Sequence, residues 1–103
     1  MINNSPAYRN PALPVEERVV DLLNRMTLEE KVGQLMLWDG GHTEDISFVT
    51  SRQPGSVLHI FGEKVNRAMD LAAQTRLGIP LLIGEDGIHG HSFWKGSTIF
   101  PTQ

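Results

Sequence analysis

Glu85, Asp86, His89 and His91 stand within seven positions of one another, in Gly84-Glu85-Asp86-Gly87-Ile88-His89-Gly90-His91. Carboxylates accept hydrogen bonds or move protons, and imidazoles do either or bind a metal. The apolar run Leu81-Leu82-Ile83 precedes them directly. It lacks polar alternation, so it reads as a strand buried on both faces, as in a parallel sheet covered by helices. Side chains just past the carboxyl end of such a strand face the ligand in α/β folds. The glycines at 84, 87 and 90 permit tight turns and a close approach of backbone to ligand.

His89 and His91 form an H-x-H pair. Zinc takes three or four ligands, and His59, Asp86 or His42 would have to complete the set, so no metal is assigned. His89 is expected to hydrogen-bond the loop and orient Asp86. His42 and His59 read as ordinary surface or partly buried residues. The spacing Gly84, Gly87, Gly90 with no helix start after it is not a dinucleotide fingerprint, and no cofactor is expected.

The elements that position this cluster are legible upstream. Residues 1–14 contain Pro6, Pro11 and Pro14 and read as an extended arm, on the surface or disordered. Val15, Val19, Val20, Leu22, Leu23 and Met26 put an apolar stripe on a helix that starts at Pro14. Thr27-Leu28-Glu29-Glu30 is a capping box opening a second helix, with Leu28, Val32 and Leu35 on one face. A strand is expected over 35–38, where Trp38 is core, and a short helix over 44–52. A strand over 56–61, a helix over 63–76 and a strand over 80–84 then make a β-α-β unit with parallel strands. Val65, Ala68, Met69, Ala72 and Ala73 are the inward positions of its helix. Gly78 fits the left-handed position after a helix end, and Pro80 forbids continuation. A glycine-rich loop with Phe93, Trp94 and Lys95 follows; Lys95 reads as a solvated charge.

The totals narrow the classes. The chain has 103 residues, 40% hydrophobic and 20% charged, with a formal charge of −3 and no cysteine. There is no basic patch and no case for nucleic acid. No apolar run approaches the roughly 20 residues that cross a bilayer. The start lacks the charged and apolar regions of a signal peptide, which favours the cytoplasm. A parallel sheet of two or three strands leaves bare edges and apolar faces, so the chain is expected to be the opening of a larger α/β domain.

Two segments carry a resemblance. Met26-Thr27-Leu28-Glu29-Glu30-Lys31-Val32-Gly33-Gln34-Leu35 resembles the opening helix of the family 3 glycoside hydrolases of the β-glucosidase type. Arg76-Leu77-Gly78-Ile79-Pro80-Leu81-Leu82-Ile83-Gly84-Glu85-Asp86-Gly87-Ile88-His89-Gly90, followed by Thr98-Ile99-Phe100-Pro101, resembles that family's strand with a D-x-x-H-G motif and an I/V-F-P turn. The likeness implies the start of a (β/α)8 barrel, incomplete here, over 15–103, and retaining hydrolysis of terminal β-linked sugars. It implies that Asp86 holds hydroxyls of the innermost sugar. The family's nucleophile, acid/base residue and Lys-His pair lie downstream, so no catalytic residue is assigned in this chain, which alone is expected to be inactive.

On physical grounds Asp86 suits a sugar, since an ionised carboxylate accepts from two hydroxyls; the competing reading is a cap or turn aspartate. Glu85 and Asp86 are not read as a catalytic acid pair. Such carboxyls flank the scissile bond about 5–5.5 Å or 6.5–9.5 Å apart, whereas strand-end neighbours point to opposite faces. Glu85 is expected to be solvated or bonded to a neighbouring strand. Phe93 and Trp94 form a sugar-stacking rim or merely pack. The alternative for the whole chain is a truncated, non-catalytic remnant that binds sugar weakly or self-associates through its bare apolar faces.

Overall fold

The structure is a computed structural model that describes residues 5–92 and 94–101. Phe93, with the stacking role expected of it, and residues 1–4 of the expected arm lie outside the described residues. The chain divides into two units, residues 1–32 and 33–103.

In the first unit, helix α1 spans Val15–Arg25 and opens after Pro14. The expected arm is not extended throughout: Ala7–Arg9 form a 3-10 turn. Hydrogen bonds to α1 set that turn. Tyr8 N–H donates to Asp21 Oδ2 at 3.0 Å, and Arg18 Nε donates to the Tyr8 carbonyl at 3.0 Å. Asp21 also pairs with Arg25 at 3.0 Å; that bond, then the one from Tyr8, holds its carboxyl below the usual range. Val15, Val19, Val20 and Leu23 of the α1 stripe are exposed.

Helix α2 spans Leu28–Gln34 and carries the capping box as written in the sequence. Thr27 N–H donates to Glu30 Oε2 at 2.9 Å, and Glu30 N–H donates to Thr27 Oγ1 at 3.2 Å. Two orphan donors of the helix start are thereby satisfied reciprocally.

The second unit is a three-stranded parallel sheet, β1 Leu37–Asp39, β2 Ser56–Leu58 and β3 Leu82–Gly84, in the order β1-β2-β3. Helix α3, Phe48–Arg52, and helix α4, Glu63–Ala73, join the strands. In register, Trp38, Val57 and Ile83 form one row across the sheet. Val57 is fully buried, and with Ile46, Phe48, Val49, Ile60, Ala68, Ala72 and Leu81 it makes the core. Trp38 packs against that core, stacked on Phe48 with ring centroids 5.3 Å apart. Val65 and Met69 of α4 are partly buried against it, whereas Ala73 at the helix end is exposed. Helix α4 ends at Ala73 and not at Arg76, so Gly78, although left-handed at φ 61°, does not follow the helix end; it closes a later turn in which its N–H donates to the Thr75 carbonyl at 3.1 Å.

Two further expectations need correction. The strand at 56 ends at Leu58 and not at Phe61, because His59 takes a left-handed φ of 60° and turns the chain. The run at 81–83 is not buried on both faces: Leu81 is 5% exposed but Leu82 is 75% exposed. Leu82 lies in the Leu37–Ser56–Leu82 row, on the face opposite Val57, and β3 is an edge strand. Among the described residues no helix is long and apolar enough to cross a membrane.

Candidate functional site

The last paired row of the sheet is Asp39–Leu58–Gly84. The residues at and just beyond it therefore gather at one end of three parallel strands. These are Asp39 of β1, His59 after β2, and Glu85 and Asp86 after β3.

His59 is the centre of the cluster. Its Nδ1 lies 3.2 Å from Asp39 Oδ1 and its Nε2 lies 3.2 Å from Asp86 Oδ2. Glu85 Oε1 is 3.6 Å from the same Nε2. An imidazolium donates from both nitrogens, so the protonated form satisfies both contacts, whereas the neutral ring has one donor. The hydrogen bond to Asp39, followed by that to Asp86, raises the His59 pKa above its ordinary 6.5. Asp39 is held below the usual carboxylate range, first by the Gly41 N–H at 2.8 Å and then by His59. The left-handed backbone at His59 costs about 1–2 kcal/mol in a non-glycine residue. It holds the ring where strands on both sides deliver carboxylates.

Asp86 keeps its side chain 61% exposed, against 23% for His59. One oxygen is held by His59, and the carboxylate still has lone pairs for a ligand's hydroxyls. Glu85 is turned inward. Its Oε1 accepts from Asp86 N–H at 3.0 Å, and its Oε2 is buried with no hydrogen-bond partner among the described residues. Both carboxylates thus address one imidazole, because strand alternation ends at Gly84. They do not flank a gap from two sides as a hydrolytic acid pair must.

The loop beyond Asp86 is closed by its own backbone. Phe100 N–H donates to the His89 carbonyl at 2.7 Å. Gly90 sits at φ 119°, and a Cβ there would come 2.6 Å from the Thr98 carbonyl oxygen. Only glycine fits that crossing of the D-x-x-H-G and I-F-P segments. His89 Nδ1 is buried with no partner among the described residues, and its carbonyl serves the loop closure. The imidazole within hydrogen-bond distance of the Asp86 carboxylate is that of His59. Trp94, 48% exposed, lies beside His91 with centroids 6.5 Å apart at 23°, and Phe61 stands 6.5 Å from Trp94. A pocket of about 220 Å³, lined by Gly41, His42, His59 and Phe61, opens beside this aromatic group.

Lys64, in the first turn of α4, ties down the loop after β1. Its Nζ donates to the Gly40 carbonyl at 2.7 Å and to the Thr43 carbonyl. His42 is exposed, 3.5 Å from Asp39 Oδ2. Among the described residues no group of three or more His, Asp or Glu is arranged to hold a metal. Both nitrogens of His59 face carboxylates. Sequence reasoning missed Asp39, His59 and Lys64. The signal for Asp39 was present, because it follows an apolar run and the strand-end rule that selected Asp86 applies to every strand; His59 was read inside a strand over 56–61.

No family model matches the chain. It is 36% identical over 110 residues to a probable β-glucosidase C of Aspergillus flavus, covering 84% of this chain and 17% of the relative. It is 38% identical over 101 residues to β-glucosidase C of Emericella nidulans, covering 82% and 16%. A solved structure of a β-glucosidase involved in saponin metabolism from intestinal bacteria shares the fold at a TM-score of 0.60 with 52% identity, over 82% of this chain and 11% of that one. The chain is a glycoside hydrolase family 3 segment of the β-glucosidase type. It spans about a sixth of the length of the curated relatives it matches. The segment is thus a mixed α/β piece whose parallel strands deliver their polar residues to one end.

Proposed function

We propose that this segment belongs to a (β/α)8 barrel, with residues 15–103 as its first part and 1–14 as an arm. In that enzyme it forms part of the innermost sugar subsite of a retaining hydrolase acting on terminal β-linked sugars. Asp86 binds hydroxyls of the terminal sugar. The observation that carries this reading is the exposed Asp86 carboxylate at the carboxyl end of a parallel sheet, in a chain similar to β-glucosidases. A barrel places its ligand at that end. Trp94 forms a rim on which the apolar face of a pyranose packs. His89 supports the loop through its carbonyl. The two catalytic carboxylates and the Lys-His pair come from other parts of the enzyme, and the segment alone does not turn over a glycoside. Hydrogen bonds that sugar hydroxyls donate to Asp86 and that tighten in the oxocarbenium-like transition state would make positioning a catalytic contribution.

Glucose titrated into the protein and followed by NMR tests this. Shifts at Asp86 and at the Trp94 indole, both lost in Asp86→Ala, are expected. Equal binding by wild type and Asp86→Ala would refute the sugar role.

A second reading, self-association, draws on the exposed Leu37 and Leu82 of one sheet face. Sedimentation at increasing concentration separates the two: growth in mass that Leu82→Lys abolishes would support it.

A further inference from the structure

Asp86 is exposed, and an exposed aspartate has freedom about χ1 unless something fixes it. Four facts bear on what fixes it here. His59 Nε2 lies 3.2 Å from Asp86 Oδ2, while its Nδ1 lies 3.2 Å from Asp39 Oδ1. Asp39 is itself held by the Gly41 N–H at 2.8 Å. Lys64 holds the Gly40 carbonyl next in the chain at 2.7 Å. His59 sits at φ 60°, which places its ring between the ends of β1 and β3. The chain of contacts therefore runs from α4 through the β1 end and β2 end to the carboxylate after β3.

We infer that His59 is the positioning residue of this site, a cationic strut that transmits the fixed position of Asp39 to Asp86 and sets the orientation of the Asp86 carboxylate. What Asp86 then holds rests on the sugar reading above; the strut itself does not. The groups facing the imidazole are Asp39 from β1, and Glu85 and Asp86 from the segment after β3; His42 touches Asp39 from the far side. Three carboxylates around one ring favour the imidazolium. Loss of its proton leaves one N–H for two acceptors, so one carboxylate is released. Asp39 keeps its Gly41 bond, and Asp86, with 61% of its side chain exposed against 45% for Asp39, is the more exposed partner.

Imidazole ¹⁵N NMR of the protein tests the strut. Asp39→Asn and Asp86→Asn each lower the His59 titration midpoint relative to wild type. Asp86 is exposed, so its variant keeps the fold. A midpoint unmoved by Asp86→Asn would overturn the inference. Glucose affinity against pH reads the consequence. Wild type is expected to weaken as pH rises through the His59 midpoint. His59→Asn, which tolerates a left-handed φ but is too short to span, should lose about tenfold at low pH and flatten the profile. His59→Gln, long enough to donate to one carboxylate, should recover part of that loss. An unchanged affinity and pH profile in His59→Asn would overturn positioning. Wild type that binds no glucose at any pH, with the NMR coupling intact, would refute the sugar role of Asp86 and uphold the strut.

Discussion

Replacing Lys64 with methionine should destabilise the protein by about 1–2 kcal/mol and loosen the loop that carries Asp39. Lys64 Nζ donates to the partly buried Gly40 carbonyl at 2.7 Å and to the exposed Thr43 carbonyl. A hydrogen bond from a charged donor contributes about 1.5–3 kcal/mol net when shielded, and water reduces the exposed one to a small fraction of that. Against this stands the helix dipole, since a cation in the first turn of α4 is disfavoured by about 0.3–1 kcal/mol. The difference is the figure above. Methionine keeps the length and packing of the stem, so the change isolates the ammonium group. Urea unfolding at constant m-value gives the energy. Amide exchange at Gly41, the donor to Asp39, reports the loop and should accelerate. An unfolding midpoint and a Gly41 exchange rate equal to wild type would show that α4 does not hold this loop.

Two further outcomes follow from the geometry. Gly55→Ala would place its Cβ 2.1 Å from the Gln34 carbonyl oxygen, a backbone atom that cannot swing away; overpacking of this kind costs about 1–3 kcal/mol, and a thermal midpoint within error of wild type would contradict it. The stabilisation from His59, whose folded pKa is raised, is fully present below its unfolded value of 6.5 and lost as pH rises through the folded value. Asp39, with a lowered pKa, contributes above 3.8 and loses that as pH falls through its folded value. The pair is therefore most stabilising between those two values, and urea midpoints of His59→Gln should fall furthest below wild type there; a deficit that grows toward alkaline pH would reverse the sign.

What could be read from the sequence was what neighbours in the chain decide. The capping box at Thr27 and Glu30 and the start of α1 after Pro14 depend on residues within one turn, and each is present. The order of elements was legible for the same reason. The site was legible in part. Asp86 stands at a strand end because the apolar run before it could only be a strand. His59 was passed over because nothing local marks a histidine as left-handed, and its partners lie 20 and 27 residues away. Leu82 was misjudged because hydrophobic pattern reports what a face is suited to contact, and an edge strand with one uncovered face reads the same. His89 reads as the orienting group through its closeness in sequence to Asp86, and its carbonyl also closes the turn at Gly90.

The most direct test of the account is kcat/KM on an aryl β-glucoside for the full-length enzyme with Asp86→Ala. A positioning carboxylate whose bonds tighten in the transition state predicts a loss of about a hundredfold or more, equivalent to about 2.7 kcal/mol. A loss below about tenfold would contradict the assignment of Asp86 to the sugar.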